Sequence, residues 1–218
     1  AGRKQDSAAA ASGSGGVVIL ELWYDPNYDP DEILGYTYGG TLTFTSGSDV
    51  FNKADYPGLA AVKVVCQGGG GAGAGGQANT YSVGSGGGGG GYAESWVEAD
   101  DLALTETIIV GGGGQPVAGG NGGAGGQSRF GNHCVANGGG GGERLSSTTA
   151  SETLYPQAGA GGTATGNLIT IPGQPGQRGR GQWRPLGRLE DDRVARRQAR
   201  GDPPRREHER RVPGHDQP

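Results

Sequence analysis

Apolar and polar side chains alternate with a period of two in several short runs of this chain, and each run predicts a strand. Val17-Val18-Ile19-Leu20-Glu21-Leu22-Trp23 and Thr41-Leu42-Thr43-Phe44-Thr45 are two of them. Ala60 to Cys66, Tyr92 to Glu98, Thr105 to Val110 and Asn167 to Ile171 are the others, all rich in β-branched and aromatic residues. The chain is expected to be all-β, with few or no α-helices. Tyr24 to Asp31 holds two Asp-Pro steps, which exclude helix and favour turns. It predicts a solvated linker, because its acids lack the ligand spacing of a calcium loop.

Between the strands lie runs of pure glycine, at 68–71, 86–91, 111–114 and 138–142. From Cys66 to Gln177, 36 residues are Gly, with no Gly-X-Y period, which excludes a collagen helix. A glycine run buries no side chain and loses much backbone entropy on ordering, so it folds only where its backbone hydrogen bonds are fully used. Left-handed polyproline-II helices meet that condition. They have three residues per turn and no internal hydrogen bonds, so glycine helices of this kind can pack side by side and bond to one another. Flexible spacers are the alternative, but they usually contain Ser and do not alternate with strands. The prediction is a glycine-rich polyproline-II bundle with loops at the rod ends.

Composition adds a division of the chain. Residues 178–218 hold 12 of the 18 basic residues, all Arg, against 7 acids, so the first 177 residues carry an excess of about nine negative charges. The tail contains no Ser, Thr, Tyr, Phe, Ile, Asn or Lys, which is how a GC-rich gene reads in a wrong frame. We expect a disordered, frameshift-derived segment there. Three regions follow: 1–39, a strand closing a preceding module plus the linker; 40–177, the glycine-rich module; and 178–218, the Arg/Pro-rich tail. With 3 Phe, 3 Trp and no Met the apolar core must be small. No apolar stretch approaches the roughly 20 residues of a membrane span, and no targeting signal is visible, so a protein without membrane insertion is expected.

As an ordered set, several words resemble the glycine-rich modules of minor tail proteins from bacteriophages that infect actinobacteria. They are Thr41 to Thr45, Lys53-Ala54-Asp55-Tyr56-Pro57-Gly58-Leu59 leading into Ala61-Val62-Lys63-Val64, Gly91-Tyr92-Ala93-Glu94, Ile108-Ile109-Val110-Gly111, Phe130-Gly131-Asn132-His133-Cys134 and Asn167 to Gly173. The resemblance implies a small β-sandwich joined to packed glycine helices, carried on a virion tail tip or fibre among other tail proteins, with loops that touch the host surface. It implies no catalytic residue. Such modules close with Gly-Ser-Gly-Gly and a Val-Val-Ile strand, which here is Gly13 to Trp23, near the start of the chain.

The residues support recognition rather than catalysis. Two loops, Gln77 to Ser82 and Arg144 to Tyr155, mix Tyr with small hydroxyl and amide side chains, a composition suited to polar surfaces and sugars. Asn79, Thr80, Tyr81, Arg144, Thr153, Leu154 and Tyr155 are the candidate contacts to a host glycan or envelope component. Val17, Val18, Ile19, Leu20, Leu22 and Trp23 are the candidate assembly strand, completing a neighbouring copy's sheet in a trimer or fibre. Cys66 and Cys134 are either core residues or one disulfide. Neither has metal-ligand spacing, His133 precedes Cys134 and so faces the opposite side of a strand, and no cofactor, metal or enzymatic activity is expected. Gly73-Ala74-Gly75-Gly76-Gln77 lacks the context of a phosphate loop. Arg178-Gly179-Arg180-Gly181 resembles a nucleic-acid-binding segment, but interspersed acids and a single aromatic, Trp183, argue against it.

Overall fold

The structure is a computed structural model, and it describes residues 10–25, 36–76, 81–148 and 153–182. Within them the chain is all-β. The first five-stranded sheet holds β1 (Val17–Tyr24), β2 (Thr37–Phe44), β4 (Leu59–Gln67), β6 (Tyr92–Glu98) and β13 (Ile169–Ile171), in the order β13-β6-β4-β1-β2. The second holds β3 (Gly47–Asn52), β7 (Thr105–Val110), β8 (Ser128–Phe130), β9 (Cys134–Ala136) and β12 (Ala164–Thr165), in the order β12-β9-β8-β7-β3. All pairings are antiparallel.

The period-two pattern explains how the sheets meet. Val18, Leu20 and Leu22 of β1 and Val62, Val64 and Cys66 of β4 face inward, against Phe51, Ile108, Phe130 and Cys134 of the second sheet. The result is one shared apolar core between two layers. Phe130 anchors it, fully buried and edge-on to Phe51, whose ring stacks on Tyr56. Gly131, at a φ of 49°, makes the turn from β8 to β9.

One expectation is corrected here. Residues 17–23 do not close a preceding module: β1 lies between β2 and β4 of the same sheet, in register from Val18 opposite Phe44 and Cys66. Its apolar phase is needed there, since Val18 and Leu20 are fully buried. The closing strand of the module is thus supplied from near its start. Residues 10–25 accordingly belong to the same compact unit as the strands from Thr37 onward. Of the linker expected at Tyr24 to Asp31, Tyr24 ends β1, and of the tail expected to be disordered from 178, residues 178–182 are ordered and end in a short strand at Gly181–Gln182, while residues 26–35 and 183–218 lie outside the described residues.

Eight of the strands continue into glycine-rich segments. Segments 10–16 and 85–91 run into β1 and β6, 120–126 and 157–163 into β8 and β12; 68–75, 111–115, 137–143 and 173–177 leave β4, β7, β9 and β13. Their backbones bond to one another with a period of three. The amides of Gly68, Gly71 and Ala74 donate to the carbonyls of Gly91, Gly88 and Ser85. Those of Gly69, Ala72 and Gly75 donate to Gly126, Gly123 and Gly120, and those of Gly70 and Gly73 to Ser14 and Ala11. Every third donor therefore returns to the same neighbour. Gly139 and Gly142 donate in turn to Gly69 and Ala72, so 137–143 runs parallel to 68–75.

Close approach explains why these positions are glycine. A Cβ on Gly88 would stand 2.0 Å from the Ala160 carbonyl oxygen, and one on Gly139 2.1 Å from that of Gly88. Hydrogen bonds at about 1 kcal/mol each only offset an ordering cost of about 1–2 kcal/mol per residue. The core between the sheets supplies the surplus, because each segment is the direct extension of a strand already held there.

Candidate functional site

Two further strand pairs lie where the glycine segments end away from the sheets. β5 (Tyr81–Gly84) joins segment 68–75 to 85–91, and it pairs with β10 (Arg144–Ser147), Tyr81 opposite Ser147 and Arg144 opposite Gly84. β11 (Thr153–Leu154) pairs with β14 (Gly181–Gln182). The two loops singled out from sequence are thereby brought together at one tip. Ser85 ties them to the bundle: its hydroxyl donates to the carbonyl of Gln157 and accepts from the amide of Glu143 at 2.8 Å. The Gln157 amide donates to the Glu143 carboxylate at 2.6 Å.

The candidate residues differ in what they present. Tyr155 is 58 % exposed, with the Arg180 guanidinium 6.0 Å from its ring centre. Leu154 is buried and belongs to the packing under the tip. Arg144 is half-buried; its guanidinium donates to the Gly119 carbonyl at 2.9 Å and its amide to Asn121 at 2.8 Å, which clamps the 117–121 turn to β10. Val117 on that turn is exposed. Tyr81 and Thr153 are half-buried at strand starts, and Asn79 and Thr80 lie outside the described residues. Val17 to Trp23 are distant from this tip in the fold, forming the middle of the first sheet.

Cys66 and Cys134 are free thiols, both fully buried. The Cys66 thiol donates to the Cys134 carbonyl at 3.6 Å, and that of Cys134 to the Ala93 carbonyl at 3.4 Å. The hydrogen bond to Cys134 and burial both hold the Cys66 thiol protonated, far above its usual range. His133 is turned away from them, its Nε2 3.1 Å from Glu106, whose carboxylate also accepts from the Ala103 amide.

Sequence reasoning missed a second feature, on the outer face of the first sheet. There Trp23 lies 5.5 Å from Tyr38, at 65°, and 5.7 Å from Trp96, with Tyr36 5.3 Å beyond Trp96. Tyr36 and Tyr38 are 45 % and 53 % exposed. Glu98 organises the group: it accepts from the Tyr36 hydroxyl and from Trp96 Nε1, each at 2.8 Å. That bond, followed by burial, raises the Tyr36 pKa. Asn167 pins the Trp96 backbone, accepting from its amide at 2.8 Å and donating to its carbonyl at 2.7 Å. The signal was present in the alternation, because Trp96 sits between Glu94 and Glu98 in the outward phase of its strand.

Neither a curated protein nor a solved structure matches the chain. The description "Glycine-rich domain" applies to residues 35–206, where the model of that family matches, and with most of its length so covered the chain belongs to the glycine-rich domain family.

Proposed function

We propose that this chain is a structural and receptor-binding module of a bacteriophage tail, acting as an adhesin and without enzymatic activity. The observation that carries the reading is the convergence of both Tyr-containing loops at the far end of a hydrogen-bonded glycine stalk. A stalk of this kind fixes loop geometry and cuts the ordering cost of binding. The period-three ladder supports polyproline-II geometry for the glycine segments, as three residues per turn would give it. The partner in this reading is a glycan or envelope component on an actinobacterial surface, and the module resides in the virion with other tail proteins.

The test is retention of the purified full chain on whole actinobacterial cells, beside Tyr155→Ala and Tyr81→Ala. Retention that falls at least about tenfold in either variant is the expected result. Failure to bind any host, with a multimeric mass by light scattering, would replace the adhesin by a self-assembling tail subunit in a trimer or fibre. Because β1 is satisfied within its own sheet, we expect the monomer mass.

A further inference from the structure

We infer that the outer face of the first sheet is a second binding surface, and that its ligand is an uncharged glycan. Three observations on that face converge. The first is the aromatic group itself. A soluble domain gains nothing by leaving Tyr36 and Tyr38 about half exposed beside two tryptophans, and an exposed cluster of this kind marks a contact surface. The rings are tilted against one another at 50–65°, so they form a stepped surface with exposed ring faces instead of a closed stack. A pyranose ring offers C–H groups with partial positive charge on one side, which suit the negative face of an aromatic ring.

The second observation is the placement of polar groups. Glu98 is held between Tyr36 and Trp96 by two donors, so its carboxylate is fixed in the aromatic surface with lone pairs left over to accept from hydroxyls. The Tyr38 hydroxyl, bonded to Thr41, offers a further polar atom at the edge. A few fixed polar groups within an apolar surface give orientation and specificity to a ligand rich in both C–H and O–H.

The third is charge. In register across the face stand Glu21, Lys63 and Trp96, with Glu94 one step along β6 from Trp96. Lys63 is paired with Glu94 at 3.4 Å, which leaves Glu21 and Glu98 as surplus negative charge. An anionic polysaccharide or a nucleic acid meets repulsion here, whereas a neutral sugar does not. The rings follow one another from Tyr38 through Trp23 and Trp96 to Tyr36, with centres 5.3–5.7 Å apart, so they form a row that suits an extended glycan better than a small cation.

The inference rests on the adhesin reading and deepens it by naming a neutral glycan as what is bound and by placing a contact on the sheet in addition to the tip. Purified glycan tests it apart from that reading. The full chain carrying Trp183→Phe, which leaves Trp23 and Trp96 as the fluorophores, is run on native gels containing soluble mannan, β-glucan or galactan, with polygalacturonate as the anionic comparator. Retardation by at least one neutral polymer, a change in tryptophan emission, and an affinity at least about tenfold weaker in Tyr36→Ala/Tyr38→Ala at unchanged melting temperature are expected. Absence of retardation by every neutral polymer, retardation by polygalacturonate alone, or full retention in the double variant would overturn it. Cell binding that survives in the double variant but is lost in Tyr155→Ala also overturns it while leaving the adhesin standing. Glycan binding without cell binding does the reverse.

Discussion

A glycine in this chain is defined by the carbonyl oxygen that faces its missing side chain. Gly88 and Gly112 each lie inside a glycine run with glycine on either side, yet a Cβ on Gly88 would meet the Ala160 oxygen at 2.0 Å, and one on Gly112 meets nothing within 4 Å. Gly88→Ala should therefore lower stability by about 3 kcal/mol or more. Gly112→Ala should lie within about 0.5 kcal/mol of the parent, both read from denaturant melts. Equal effects would mean that the runs are not packed as described. Ionisable residues make a second prediction. Burial and a hydrogen bond to Glu94 push Tyr92 from 10.0 up to about 12. The unfolded chain gives up that proton first, so stability should fall as pH rises from about 10 to about 12, and Tyr92→Phe should flatten that decline. Neither thiol should react with an aromatic disulfide reagent until the chain unfolds, when both should. That Cys66 was a core candidate followed from its apolar strand at 60–66, and Cys134 was one because it lacks metal-ligand spacing; that they stay unpaired depends on a distant strand crossing, which spacing does not encode.

At the scale of elements, strands with a strict apolar phase were legible. The runs at 92–98 and 105–110 match β6 and β7, and those at 17–23 and 60–66 match β1 and β4 to within a residue at either end. The strands missed are short or polar. β3, Gly-Ser-Asp-Val-Phe-Asn, places only Phe51 in the core, and β5, β10, β11 and β12 have two to four residues each, stabilised by neighbours instead of by their own pattern. β1 was legible as a strand but not as the middle of its sheet. Sheet order depends on tertiary contacts, and no local pattern ties Val18 to Cys66, 48 positions away. The strand's central place makes a prediction. Leu20→Ala should cost about 2–5 kcal/mol, and deletion of residues 1–24 should abolish cooperative unfolding in circular dichroism. A folded truncated chain would show that β1 is dispensable and restore the view of it as an exchangeable assembly strand.

For the whole molecule, the contrast is between a stalk and a string. Glycine runs acting as spacers would exchange their amide hydrogens within seconds, whereas amides bonded to neighbouring segments open only with the unit as a whole. Hydrogen-exchange mass spectrometry should therefore find 68–75 and 137–143 as protected as β4, and fast exchange in those peptides would sink the bundle. While the described parts of the rod-end segments form the short strands β5, β10 and β11 and not open loops, their polar composition was legible. Their meeting at one tip was not, since it requires β5 and β10 to pair across some 60 residues, through segments whose directions sequence does not reveal.

The period-three ladder also bears on how such a gene can change. Runs of glycine codons are repetitive and prone to gain or lose a unit when copied. Removal of one residue from 68–75 hands every donor beyond the gap to the wrong neighbour, so that the amide meant for 85–91 addresses 10–16. Three codons removed together restore the assignment and merely shorten the segment. Length variation in these tracts should thus be tolerated in steps of three residues and selected against otherwise, a reading frame of hydrogen bonds laid over the genetic one.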